Sequence, residues 1–221
     1  ADRYRVPRIG FINKMDRIGA DFLSAVQMME EKLNANPLIL QLPVGAEDNF
    51  TGVIDLIHQQ QIVWDDDTLG ATYTPVDISE TYQKQAEEYR EKLIETLAEV
   101  DDEIADAYLS EAEISPESLL AAIRTAVIDL KLVPVLCGSA LRNKGVQPLL
   151  DAIVQFLPSP DDVPPIKGAH PELGDIVECP PRDNHPLAAL IFKVAMTEGR
   201  KLSYVRIYSG KMTAGGDVFN P

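Results

Sequence analysis

Apolar positions in this 221-residue chain follow two rhythms, short unbroken runs and helical spacing. The run Val6-Pro7-Arg8-Ile9-Gly10-Phe11-Ile12 reads as a buried strand. After it, Asp21 can cap a helix carrying Phe22, Val26, Met29 and Leu33 on one face, stopped by Asn36-Pro37. Leu38–Val44 and Thr51–Trp64 are strand-rich, broken by Gly45-Ala46-Glu47-Asp48-Asn49; Asp65-Asp66-Asp67 and Gly70 mark a turn. One long amphipathic helix is expected from about Glu80 to Leu109, with Tyr89, Leu93, Leu97, Val100, Ile104 and Tyr108 as its stripe. Ser115-Pro116-Glu117 starts another, with Leu120, Ile123, Val127 and Leu130 facing inward. A second buried run, Val133-Pro134-Val135-Leu136-Cys137, leads through Gly138-Ser139-Ala140 into a helix marked by Val146, Leu149, Leu150, Ile153 and Leu157. Residues 37–131 therefore read as an insertion between two consecutive sheet strands. Pro158 to Pro186 holds eight of the sixteen prolines and reads as a linker or extended strap. Beyond it, Leu187–Met196 and Leu202–Tyr208 look like strands, too few to close a barrel.

Chemistry gathers at the ends of the two buried runs. Open α/β sheets bind ligands at the carboxyl ends of their strands, where Asn13-Lys14-Met15-Asp16 falls. A carboxylate there can accept two parallel hydrogen bonds from a base that offers a ring N–H beside an exocyclic amino group. Guanine offers that pair and adenine does not. Such a bidentate site rejects the wrong base by about 10⁴ or more, because its charge would be left unpaired. The aliphatic stem of Lys14 can lie along the base plane, and Asn13 can brace neighbouring loops. At the second run, small Ser139 and Ala140 allow close approach, and the Ala140 N–H can donate to a 6-oxo group. No G-x-x-x-x-G-K-[ST] cradle for phosphates occurs in the chain. Asp16-Arg17-Ile18-Gly19 does spell a phosphate-sensing Asp-x-x-Gly, but it overlaps the base motif and runs into a helix, a coincidence of letters. The chain thus holds the base-reading half of a nucleotide site. Either it is a piece of a larger protein, or it no longer handles nucleotide.

Charge sharpens the division of labour. Of the net −15, Asp65–Glu117 supplies about −14, with seventeen acids against Lys84, Arg90 and Lys92. That segment would repel nucleic-acid phosphates. No stretch approaches the roughly 18 apolar residues of a membrane span, and the first residues lack a signal-peptide core. Cys137 and Cys179 read as reduced thiols of a cytoplasmic protein, Cys137 as a small core residue. His58, His170 and His185 are scattered loop histidines, and no metal site is visible.

Several runs together resemble bacterial translation elongation factor G. They are Gly10–Arg17, Phe50–Leu56, Cys137–Ala140, Asn143–Gln147, Leu157–Pro160 and Arg206–Gly210, in the family's order and across essentially the whole chain. The resemblance implies an α/β fold: a partial P-loop-type GTPase domain (1–36 and 132–157) with a large α+β insert (37–131). A Pro-rich linker (158–186) and the truncated start of a β-barrel domain (187–221) would follow. It implies GTP/GDP as ligand, read by Asn13, Lys14, Asp16, Ser139 and Ala140. The phosphate loop, switch regions, catalytic histidine and Mg²⁺ ligands would lie before Ala1, so the chain alone would be inactive as a GTPase. It also implies a monomer on the ribosome that drives movement of tRNA and mRNA, contacting the tRNA–mRNA complex through domains beyond Pro221. The acidic insert would meet the ribosomal stalk protein, with Glu87, Glu88, Glu91 and Glu95 near the contact. Met196–Leu202 is shorter and more basic than the loop of the best-known members, which leaves a divergent paralogue open. Two alternatives also stand: a ribosome-acting GTPase for release-factor recycling or ribosome protection, and a non-enzymatic stalk-binding module.

Overall fold

Three short strands without polar alternation, flanked by helices, make a parallel sheet that is buried at its centre. In the computed structural model, which describes residues 1–65, 68–169 and 174–220, Gly10–Ile12 (β1) pairs in parallel with Val133–Cys137 (β7). Pro37–Ile39 (β2) pairs in parallel with the other edge of β7, giving the order β1-β7-β2. The boundary expected at residue 37 is thereby corrected. The first three residues assigned to the insert belong to the parallel sheet, because Pro37, Leu38 and Ile39 pair with Val133, Pro134 and Val135. Asp66, Asp67, His170 and Pro221, parts of the turn, histidine, linker and barrel readings, lie outside the described residues.

The insert is a four-stranded antiparallel meander followed by three helices. Gln41–Val44 (β3), Gly52–Asp55 (β4), Gln60–Trp64 (β5) and Tyr73–Val76 (β6) pair in sequence order. It shares its core with the parallel sheet. Leu40 N–H donates to Val135 O, Leu56 N–H donates to Leu40 O (both 3.0 Å), and Val53, Ile54, Leu97, Ile123, Val135 and Cys137 are all sealed from solvent in one cluster.

Helix starts follow the capping rules. Phe22–Leu33 (α1) is capped by the Asp21 carboxylate, which accepts from Ser24 N–H at 3.0 Å; Asn34 in the left-handed region ends it, ahead of the expected stop. Pro116–Ile128 (α4) starts under the Ser115 hydroxyl, with Pro116 in the first turn, where a missing N–H costs nothing. The expected single helix over 80–109 is two. Glu80–Ala98 (α2) stops, and Asp101 caps Asp102–Leu109 (α3) by accepting from Ile104 N–H. An acceptor side chain ahead of an acidic first turn favours a new start over continuation. Leu93, Leu97 and Ile104 keep their buried stripe across the break. Val146–Phe156 (α5) buries Ala152 and Phe156, while Leu150 and Ile153 of the expected stripe are 56 % and 40 % exposed.

Pro158–Pro221 forms a compact unit separate from Ala1–Leu157. It holds two antiparallel pairs: Ile166–Ala169 (β8) with Ile176–Cys179 (β9), and Ala188–Thr197 (β10) with Arg200–Ser209 (β11). The first pair falls inside the stretch expected to be linker or strap. Among the described residues no helix is long and apolar enough to cross a membrane.

Candidate functional site

The two motif loops meet because they leave the same end of neighbouring parallel strands. Ile12 sits opposite Cys137, so Asn13–Asp16 and Gly138–Ala140 emerge side by side. Met15 N–H donates to Gly138 O at 3.1 Å and Gly138 N–H to Ile12 O at 3.1 Å. Asn13 is the clasp: its Oδ1 accepts from Lys14 N–H (2.8 Å) and from Ala140 N–H (3.0 Å). The Ala140 donor expected to face a ligand's 6-oxo group is therefore already shared with Asn13, and a ligand oxygen there would make the bond three-centred.

Ser139 and Lys144 close the second loop with paired backbone hydrogen bonds of 2.9 and 3.0 Å. The return past Cys137 needs Gly145: its φ is +86°, and a Cβ would lie 2.5 Å from Cys137 O. Burial pushes the Cys137 thiol far above its ordinary range, so it is inert packing beneath the loop.

Asp16 is the charged centre. Its side chain is 8 % exposed. The Ser139 hydroxyl, itself fully buried, donates to it and is the main reason its carboxyl titrates below the usual carboxylate range; burial opposes this, and its own turn's backbone and Arg142 assist. Arg142 Nε lies 3.3 Å from Asp16 Oδ2. An ionised, nearly buried, acceptor-only group at the rim of a sheet can take two parallel N–H donors from a planar ligand. Lys14 is exposed beside it with φ +67°, a conformation that costs a non-glycine residue of order 1–3 kcal/mol and concentrates at ligand sites. Asn13, Lys14, Asp16, Ser139 and Ala140 thus form one ledge.

Two participants were not foreseen. Arg142 follows the second motif by two residues, and its charge is a signal only once Asp16 is known to sit beside it. Glu47 comes from the loop between β3 and β4, read in the sequence only as a break between strands; it touches the turn around Asp16.

The second candidate cluster lies on α2. Glu87, Glu88, Glu91 and Glu95 are all exposed on its outer side. The face is partly self-neutralised: Lys92 Nζ lies 2.6 Å from Glu88 Oε1, and the Tyr108 hydroxyl donates to Glu95 at 3.0 Å. Lys92 holds the Glu88 carboxyl below its ordinary range. Among the described residues no group of three or more His, Cys, Asp or Glu side chains could hold a metal ion.

Residues 1–159 match the family described as "Elongation factor Tu GTP binding domain". The chain is similar to "Elongation factor G 2" of Syntrophus aciditrophicus (strain SB), 51 % identical over 220 residues, all of this chain and 32 % of the relative. It is 52 % identical to "Elongation factor G" of Aquifex pyrophilus over 221 residues, again 100 % and 32 % of the two chains. It therefore spans about a third of the length of these curated relatives. A solved structure from Thermus thermophilus, described as "Crystal structure of ttk003000868", superposes with a TM-score of 0.73 at 25 % identity, covering 98 % of this chain and 29 % of that one. With the parallel sheet, its two joined loops and a match over 1–159, the chain belongs to the family of the elongation factor Tu GTP binding domain.

Proposed function

We propose that the chain is part of a ribosomal translocation GTPase of the elongation factor G type, and that its own share of the work is to read guanine in GTP and GDP. The observation that carries this is the ionised, nearly buried Asp16 held against the Ser139 hydroxyl on the sheet rim. Its two oxygens accept the ring N–H and the 2-amino group, and the Lys14 stem covers the ring. The Ala140 N–H, shared with Asn13, meets the 6-oxo group, where adenine would present a clashing donor. Identities near 50 % to relatives named elongation factor G favour this reading over a recycling, protection or non-enzymatic role.

In this reading the phosphates and Mg²⁺ are held by residues outside 1–221, and residues 1–221 alone hydrolyse nothing. The protein works as a cytoplasmic monomer on the ribosome, drives tRNA–mRNA movement through other domains, and meets the stalk protein through Glu87, Glu88, Glu91 and Glu95. Residues 187–221 begin a β-barrel: both faces of the β10–β11 hairpin expose large apolar side chains, Phe192 and Met196 among them, which further strands would cover.

The test is Asp16→Asn in the intact protein that carries this chain. An asparagine oxygen still accepts the ring N–H, while its amide donates to a 2-oxo group, so preference should pass from GDP to xanthosine diphosphate. A loss of GDP affinity of about 10²-fold or more is expected from an unpaired buried donor pair. Unaltered preference for GDP refutes the role of Asp16.

A further inference from the structure

The insert, so far assigned only an outer face, also grips the base-reading loops from behind. Glu47 reaches the Asn13–Asp16 turn on both sides of Asp16. Its N–H donates to Met15 O at 3.0 Å, one residue before, and its carboxylate accepts from Gly19 N–H at 2.7 Å, three residues after. Glu47 adopts φ +55° to do so. The loop that carries it is tightly determined. Gly45 has φ +77°, a Cβ there would lie 2.0 Å from Asn49 O, and its N–H donates to the Tyr82 hydroxyl of α2 at 2.9 Å. Phe50 closes the loop from the core. The second base loop is held by the same insert. Asn143 Nδ2 and Gln147 Nε2 both donate to Gly70 O, at 3.1 and 2.9 Å, and the Trp64 indole N–H donates to Gln147 Oε1 at 3.1 Å.

A carboxylate that must present two oxygens in plane to a base is sensitive to its backbone, since displacements near an ångström at a positioned group can cost up to about a hundredfold. A backbone conformation disfavoured for glutamate persists only where its surroundings over-determine it. We propose that Glu47 is a positioning residue for the guanine-reading turn, so that the inserted sheet sets how well Asp16 discriminates the 2-amino group. This rests on the base-reading role proposed for Asp16.

The experiment measures equilibrium affinities for GDP and inosine diphosphate, which lacks the 2-amino group, in the intact protein with Glu47→Ala, Glu47→Gln and Asp16→Asn. Glu47→Ala should weaken GDP about tenfold and shrink the GDP-to-IDP affinity ratio about threefold. Glu47→Gln keeps an oxygen acceptor for Gly19 N–H and should restore both to within about twofold. Should Glu47→Ala fail to fold, Glu47→Asp, one methylene too short to reach Gly19, carries the same readout. An unchanged ratio in the alanine or aspartate variant, with Asp16→Asn abolishing GDP preference, overturns the positioning role and leaves base reading intact. An equal loss for both nucleotides marks a merely structural contact and overturns it as well. GDP preference surviving in Asp16→Asn removes the base-reading role and the proposal with it.

Discussion

The chain carries two kinds of acidic site, and they are built in opposite ways. Asp16 stands nearly alone, 8 % exposed, with a buried hydroxyl, an arginine and its own turn's backbone around it. The glutamates of α2 stand together in water, with Glu88 tied to Lys92 and Glu95 to Tyr108. Burial suits one charge to the selective role proposed for it, because leaving it unpaired is costly. Exposure makes the other face weak per contact, salt-sensitive and better suited to speeding encounter than to discrimination.

Between these two sites, removing a partner of Asp16 should have the larger effect. Ser139→Ala takes away the main group that lowers the Asp16 pKa, so guanine affinity should fall about tenfold, the worth of one hydrogen bond to a charged group. The sign of the pH dependence follows. Asp16 stays ionised to a pH below the usual carboxylate range, so in its proposed role binding should fail as pH falls through that lowered value. In Ser139→Ala that acid limb should move to higher pH, which a GDP titration across roughly pH 3–6 reads. An unmoved limb would mean that the hydroxyl does not hold the carboxylate.

The α2 face should respond more weakly. Glu87→Lys with Glu91→Lys should slow association with the stalk protein about threefold at low salt and leave it unchanged above roughly 0.5 M salt, where charges farther apart than a few ångströms are screened. Equal association rates at low salt sink the assignment. The fold should not notice, since both residues are exposed.

Local order inside the insert offers two smaller checks. Asp101→Ala should cost about 1 kcal/mol in denaturant unfolding, because it removes the cap that starts α3. His58 lies 2.8 Å from Asp55, whose hydrogen bond raises its pKa. A raised value means stability that is complete below the ordinary histidine pKa near 6.5 and lost as pH climbs through the higher folded value. The loss should stay under about 1 kcal/mol, because the ring is 44 % exposed. It should disappear in His58→Gln; an identical pH slope in that variant would remove the pair from the account.

How far the sequence foretold these regions differs in the same way. Caps were legible, because Asp21 and Ser115 act on amides three residues away. The placing of both motif loops at the carboxyl ends of buried strands was legible too, because each follows an unbroken apolar run. The break at Val100–Asp101 was not: the apolar stripe continues through it, and periodicity reports faces better than helix ends. Nor was Pro37–Ile39 as a sheet edge, since three residues carry no period and the partner strand is almost a hundred positions away. Glu47 and Arg142 are ordinary loop charges in the sequence; only the fold places each against the Asp16 turn.

The clasp between Asn13 and Ala140 joins residues 127 apart in the chain. Loop closure grows only logarithmically, about 0.6 kcal/mol per doubling, so a detour of that length hardly weakens the finished protein. Time is what it consumes. At about 5–20 residues per second, roughly 6–25 s separate synthesis of the first turn from synthesis of the second. Throughout that interval Asp16 is an ordinary wet carboxylate with no hydroxyl to steady it. Under the role proposed for Asp16, a nascent chain that displays the whole Asn13–Asp16 turn would therefore stay blind to guanine until the insert and β7 have been made and folded.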